Sequence, residues 1–156
     1  MLAVEMMPEE PLASRLVSHV YEKPDADSIL ALSGKRAVIV EDEGVTQLQL
    51  RKILTSQGID VVGLATNGRD AVDLVLRTKP DLVLMDIFMP IMDGLEACRL
   101  ILKTYSVCIV MLTAFSEEEY QQEAKEIGAA GYVLKPVTSD TLMPQIALAF
   151  QNFSRH

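Results

Sequence analysis

From Lys35 onward, short unbroken apolar runs alternate with stretches in which apolar residues recur at helical spacing. Ala37-Val38-Ile39-Val40 is the first run, and its β-branched content predicts a buried strand ending in Glu41-Asp42-Glu43. Val45, Leu48, Leu50, Ile53 and Leu54 then mark a helix that stops at Gly58, a residue suited to the position just past a helix end. Asp60–Ala65 predicts a second strand, closed by the turn pair Asn67-Gly68, and Ala71, Val72, Val75 and Leu76 form the next helical face. Lys79-Pro80-Asp81 breaks that helix, and Leu82-Val83-Leu84-Met85 predicts a third strand ending at Asp86. Leu95–Lys103 reads as a helix, and Val107–Leu112 as a fourth strand ending at Thr113. Ser116–Ile127 predicts a helix capped by Ser116, with three glutamates at its positive end and Gly128 as its stop. Tyr132-Val133-Leu134 predicts a fifth strand ending at Lys135-Pro136. Thr141–Phe150 predicts the last helix, which tolerates Pro144 only if Asp140 or Thr141 is its cap.

Five apolar strands alternating with five helices predict an α/β fold, with a parallel sheet buried on both faces. In such folds functional groups collect at the carboxyl ends of the strands. Residues 1–34 follow another pattern, punctuated by Pro8, Pro11 and Pro24 with acidic residues between them. Leu12, Leu16, Val17 and Val20 predict a short amphipathic helix over Leu12–Tyr21, with a further turn over Asp27–Leu32. The expected organisation is an acidic, partly helical extension over 1–34 followed by a domain over 35–152.

Composition narrows the function more than the fold. A chain of 156 residues with 49% hydrophobic and 23% charged residues fits one domain with a substantial core. The net charge of −8 argues against non-specific binding to nucleic acid or to anionic membranes. No apolar stretch approaches the ~20 residues of a membrane span, and the N-terminus is acidic where an export signal is basic, so a cytoplasmic location is expected. Cys98 and Cys108 have neither disulfide-framework nor metal-ligand spacing and are expected in the core. His19 and His156 are isolated and carry no catalytic expectation.

The strand ends carry the chemistry. Glu41 and Asp42 end the first strand, Asp86 the third, Thr113 the fourth and Lys135 the fifth, so three carboxylates, a hydroxyl and an ammonium should converge on one rim. Clustered carboxylates repel unless a cation neutralises them, and an all-oxygen donor set favours a hard ion such as Mg²⁺. An aspartate beside a metal and a lysine is placed to act as a nucleophile towards phosphorus.

These residues resemble a known family. Glu41-Asp42, Asp86 followed by Met89-Pro90 and Asp93-Gly94, Thr113-Ala114 and Lys135-Pro136 are similar, in order, to the motifs of the receiver domain of bacterial two-component response regulators. The resemblance covers roughly residues 35–152 and implies a flavodoxin-like (βα)5 sandwich with strand order 2-1-3-4-5. It implies Asp86 as phospho-acceptor, and Asp42 as a direct Mg²⁺ ligand with Glu41 helping through water. The backbone carbonyl of Phe88 matches the third protein ligand, Thr113 and Lys135 the phosphoryl-binding pair, and Tyr132 the aromatic switch position. The Lys135-Pro136 bond matches one that is cis in the family.

The resemblance further implies a histidine kinase or phosphotransfer protein as donor, and a downstream protein target. The family binds partners, and often dimerises, through the face of the fourth helix, fifth strand and fifth helix, here including Tyr120, Gln121 and Tyr132. A homodimer is therefore among the expectations, as is packing of the extension on its own domain or that of a second copy. An aspartyl phosphatase of the haloacid-dehalogenase type would need a carboxylate two residues after its nucleophile, where this chain has Phe88. Only Gln151–His156 follow the last predicted helix, so no nucleic-acid-binding module is expected. A receiver that has lost phospho-acceptance is disfavoured because every acceptor group is present. The expected function is thus a stand-alone phosphoacceptor, catalysing nothing beyond its own phosphorylation and dephosphorylation.

Overall fold

Successive residues of a strand point to opposite faces, and here both faces are covered. The computed structural model describes residues 24–154. Its sheet has the order β2-β1-β3-β4-β5, with every pair parallel. The strands are β1 (Arg36–Val40), β2 (Asp60–Ala65), β3 (Leu82–Asp86), β4 (Cys108–Thr113) and β5 (Gly131–Leu134). β3 and β4 are buried along their whole length, and β2 and β5 form the edges. This is the flavodoxin-like topology expected from the sequence.

Alternate residues build two cores. Ala37, Ile39, Leu82, Leu84, Val110 and Leu112 pack with Leu50 and Leu54 of α2 (Gly44–Ser56) and with Leu142 and Ile146 of α6 (Ser139–Ser154). Val38, Val40, Val83, Met85, Ile109 and Met111 pack with α3 (Gly68–Thr78), α4 (Gly94–Thr104) and α5 (Glu118–Ile127) on the other side. Cys98 and Cys108 lie in these cores, where burial pushes both thiols up to about 12, so neither is a reactive thiolate at neutral pH. Among the described residues, no helix is long and apolar enough to cross a membrane.

Two helix starts differ from the sequence expectation. α5 begins at Glu118 rather than Ser116, and its cap, Glu117, makes no side-chain capping bond. The preceding residues are held out of the helix because the Tyr132 hydroxyl donates to the Phe115 carbonyl at 3.0 Å. α6 begins at Ser139, ahead of the expected Asp140 or Thr141 cap, and runs to Ser154 through Pro144. The backbone N–H of Leu142 donates to the Thr138 carbonyl at 2.9 Å, and the hydroxyls of Thr138 and Thr141 lie 3.3 Å apart, closing that first turn. Pro144 leaves one helix acceptor, the Asp140 carbonyl, without its usual donor, and Asp140 is exposed to water that can satisfy it.

The expected helix over Leu12–Tyr21, with His19, lies outside the described residues, as does His156. Further along, α1 (Ala26–Leu30) is capped by Asp25, whose carboxylate accepts from the Ser28 N–H at 2.8 Å. Leu32 then enters the first core at 3% exposure, and the Gly34 N–H donates to the Gly58 carbonyl at 2.8 Å. Leu32→Ala should cost roughly 2–4 kcal/mol, the range for emptying a buried leucine site. Urea unfolding will read this as a lower midpoint at unchanged slope.

Candidate functional site

Each parallel strand delivers its last residue to the same edge of the sheet, and the polar residues buried there are few. Glu41 and Thr113 are fully buried and Asp86 is 6% exposed, whereas Asp42 is exposed. One oxygen each from Glu41, Asp42 and Asp86 lies within 4.8 Å of the others. The Lys135 ammonium donates to Glu41 Oε1 at 2.5 Å and to Asp86 Oδ2 at 3.1 Å, and the Lys135-Pro136 peptide bond is cis. The Lys135 N–H donates to the Thr113 carbonyl at 2.8 Å, which fixes the β5 end against the β4 end. The structure therefore brings Glu41, Asp42, Asp86 and Lys135 together, with Thr113 at the adjoining strand terminus.

Local sequence makes this convergence affordable. After Asp86 the chain turns at Ile91, where φ is +71° and the Met92 N–H donates to the Pro90 carbonyl at 2.7 Å. A β-branched residue pays roughly 1–2 kcal/mol in that conformation, so the turn is held from outside. The Gly94 N–H donates to the Ile87 carbonyl at 2.7 Å, and the Gly68 N–H to the Met92 carbonyl at 2.9 Å. Gly94 is required because a Cβ there would collide with the Asp86 carbonyl oxygen. Asp93 then caps α4 by accepting from the Glu96 N–H at 2.9 Å.

Three carboxylates against one ammonium leave the site short of positive charge. Glu41 Oε2 is buried with no hydrogen-bond partner, an arrangement that costs free energy unless a proton or a cation meets it. Burial first, and then the Asp86 carboxylate, push the Glu41 carboxyl up to about 7 against the opposing pull of Lys135. For Lys135, burial acts downward, but the hydrogen bonds to Glu41 and Asp86 outweigh it and the net direction is up. The orphaned oxygen and the all-oxygen donor set fit a hard divalent cation.

A pH dependence follows. Between the ordinary carboxyl value of 4.5 and about 7, the folded site keeps a proton that the unfolded chain has released. Without metal, stability should therefore fall as pH rises through that window. Glu41→Gln should flatten the fall, and Mg²⁺ should offset it most at the alkaline end. Urea midpoints of the parent and the variant at several pH values, with and without Mg²⁺, check this.

The other expected residues line the rim. The Thr113 hydroxyl accepts from the Phe115 N–H at 3.1 Å, which leaves its own proton free to donate. Tyr132 is half-buried and reaches the Phe115 carbonyl through its hydroxyl. The Phe88 ring is 43% exposed and packs edge-on against Phe115 at 5.0 Å and Tyr120 at 5.2 Å between centroids. Phe88 and Phe115 stand two residues after Asp86 and two after Thr113, positions that the family resemblance sets beside the approach to phosphorus; that Tyr120 joins them was not legible, because it comes from a third segment. Nor did the sequence pattern point to Gln47, whose side chain reaches the ends of both β1 and β2.

Known proteins share this fold and sequence pattern. A family model described as the response regulator receiver domain matches residues 37–147. The transcriptional regulatory protein PdtaR of Mycobacterium tuberculosis is 39% identical over 129 residues, covering 83% of this chain and 62% of the relative. The chain thus spans about three-fifths of the length of that curated relative. The chemotaxis protein CheY of Thermotoga maritima is 39% identical over 104 residues, covering 66% of this chain and 87% of the relative. Among solved structures, the CheX–CheY–BeF3–Mg²⁺ complex from Borrelia burgdorferi matches with a TM-score of 0.73 at 26% identity, covering 76% of this chain and 90% of the other.

Proposed function

We propose that this chain, which belongs to the response regulator receiver domain family, takes a phosphoryl group onto Asp86 from a histidine kinase or phosphotransfer protein. The phosphorylated form then switches a downstream protein partner. The observation that carries this reading is the buried contact of Lys135 with Asp86 at 3.1 Å, beside an acidic trio with an orphaned Glu41 oxygen. A lysine on a lone surface aspartate would be an ordinary ion pair. Here the pair sits with two further carboxylates, an excess of negative charge that a cation would offset before an anionic phosphoryl group enters.

The chain's own groups supply the chemistry. An Asp86 carboxylate oxygen attacks phosphorus in line as the donor nitrogen leaves, forming an acyl phosphate. Lys135 is already at the acceptor and pairs with one phosphoryl oxygen, while the Thr113 hydroxyl donates its free proton to another. Receiver domains generally bind Mg²⁺ at an acidic pocket, and Glu41, Asp42, Asp86 and the Phe88 carbonyl would hold it here to neutralise charge on the transferring group. Phe88 stands where an aspartyl phosphatase of the haloacid-dehalogenase type needs its general acid, which favours a phosphoacceptor over an enzyme acting on other substrates.

Switching follows from charge. The phosphoryl group adds roughly −1.5 to −2 and three strong acceptor oxygens. Thr113 is tied through the Phe115 N–H to the loop that Tyr132 holds by its carbonyl, so movement of Thr113 is passed to α5, β5 and α6. We assign this face, with Tyr120, Gln121 and Tyr132, to the downstream partner or to a second copy. Incubation with acetyl phosphate and Mg²⁺ should add one phosphoryl group by intact mass. No addition, or full addition in excess chelator, would overturn the reading. Beryllofluoride with Mg²⁺ should shift amide resonances of α5, β5 and α6, and unchanged resonances there would rule out the switching face.

A further inference from the structure

The Glu41-Asp42 pair has no side-chain anchor of its own in β1, since Glu41 lies just past the last strand residue, Val40. What holds its backbone is Gln47, in the first turn of α2. The Gln47 carboxamide nitrogen donates to the Glu41 carbonyl at 3.1 Å and to the Ala65 carbonyl at 3.2 Å. The Ala65 carbonyl also accepts from the Glu41 N–H at 3.0 Å. One amide group thus uses both its hydrogens to close a three-way junction of β1, β2 and α2 at Glu41, a member of the acidic trio. The Gln47 N–H itself donates to the Glu43 carbonyl at 2.9 Å, so the side chain starts from a fixed helical position.

We infer that Gln47 is a positioning residue for cation binding. It fixes the peptide units that aim the buried Glu41 carboxylate and the exposed Asp42 carboxylate at Asp86. The inference rests on the proposed Mg²⁺-dependent acceptor reading. It assigns to this chain a residue whose side chain touches neither the cation nor the phosphoryl group. The reasoning is geometric. Glu41 accepts from Lys135 through one oxygen and presents the other unpartnered, so a shift of its peptide would alter how that oxygen meets Asp42 and Asp86. Two bonds hold its backbone, one made by Gln47 and the other to the Ala65 carbonyl that Gln47 also engages. Groups that orient metal ligands in this way typically matter 10–100-fold in affinity.

The test uses the full chain and Mg²⁺ alone, by calorimetric titration and by amide NMR shifts of Glu41 and Asp42. Gln47→Leu keeps the volume and removes both donors. It should weaken Mg²⁺ binding roughly 10-fold or more. Ile53→Val, on the buried side of the same helix, sets what lost stability alone does, and it should leave the Mg²⁺ affinity unchanged. Acetyl phosphate labelling of Gln47→Leu should recover when Mg²⁺ is raised to saturation. If the parent binds Mg²⁺ and Gln47→Leu binds it equally well, Gln47 is structural only and the inference is overturned while the acceptor reading stands. If the parent itself binds no Mg²⁺, the acceptor reading fails and the inference falls with it. Should Gln47→Leu not fold, Gln47→Glu, which sets a carboxylate against two carbonyls, carries the same expectation.

Discussion

Asp86→Asn should take up no phosphoryl group from acetyl phosphate under conditions in which the parent is stoichiometrically labelled. The amide keeps the shape of the carboxylate but not its nucleophilic charge, so the variant should fold while the reaction stops. Its fold should tighten if anything, because Asp86 contributes one of three clustered carboxylates served by a single ammonium. Removing one negative charge also removes one of the causes that raise the Glu41 carboxyl, which should bring Glu41 down towards ordinary values. Two measurements thus bear on one substitution: intact mass for the acceptor, and the urea midpoint near neutral pH for the charge cluster. Labelling that survives would place the acceptor elsewhere. A large loss of stability would mean that Asp86 is chiefly structural.

The phosphorylated protein should lose its phosphate slowly, and Phe88→Asn with Phe115→Glu should accelerate the loss by about 10–100-fold. Hydrolysis requires a water in line with phosphorus, and a group that positions or deprotonates such a water typically contributes ~10²–10⁴ in rate. Phenyl rings can do neither. The two rings lie 5.0 Å apart, each close to half exposed, and Tyr120 packs edge-on against Phe88. A supported ring pair screens the rim better than one free to swing. Decay of the phosphorylated form at constant Mg²⁺, followed by intact mass, distinguishes the outcomes. A double variant that decays no faster than the parent would show that the rings do not govern water access.

Much of this architecture was readable because the strands are apolar through their length. Leu82–Met85 and Cys108–Leu112 leave no polar position that a helix could turn to solvent, and the residues that end them are the ones that meet at the rim. Asp86, Thr113 and Lys135 could therefore be placed from chain order alone. The start of α5 could not, because Ser116 has the chemistry of a cap but its segment is held outside the helix at Phe115, by a tyrosine 17 residues beyond that phenylalanine. The start of α6 lies earlier than expected because a proline suggests the first turn, and here Pro144 lies deeper in the helix. Periodicity did not choose between a docked arm and a tail for residues 1–34, and Leu32, at the end of its expected turn, fills a core position. Gln47 was invisible because its two acceptors lie 6 and 18 residues away.

The bond from the Lys135 N–H to the Thr113 carbonyl has a use of its own. It joins the two residues assigned to opposite sides of the phosphoryl group, and β5, which ends one residue before the lysine, is an edge strand of four residues. An amide in a short edge strand exchanges with solvent by local opening rather than by global unfolding. A ligand gripped by both side chains would oppose that opening. Deuterium uptake at this one peptide therefore reads pocket occupancy without any label, each tenfold slowing corresponding to about 1.4 kcal/mol of added restraint.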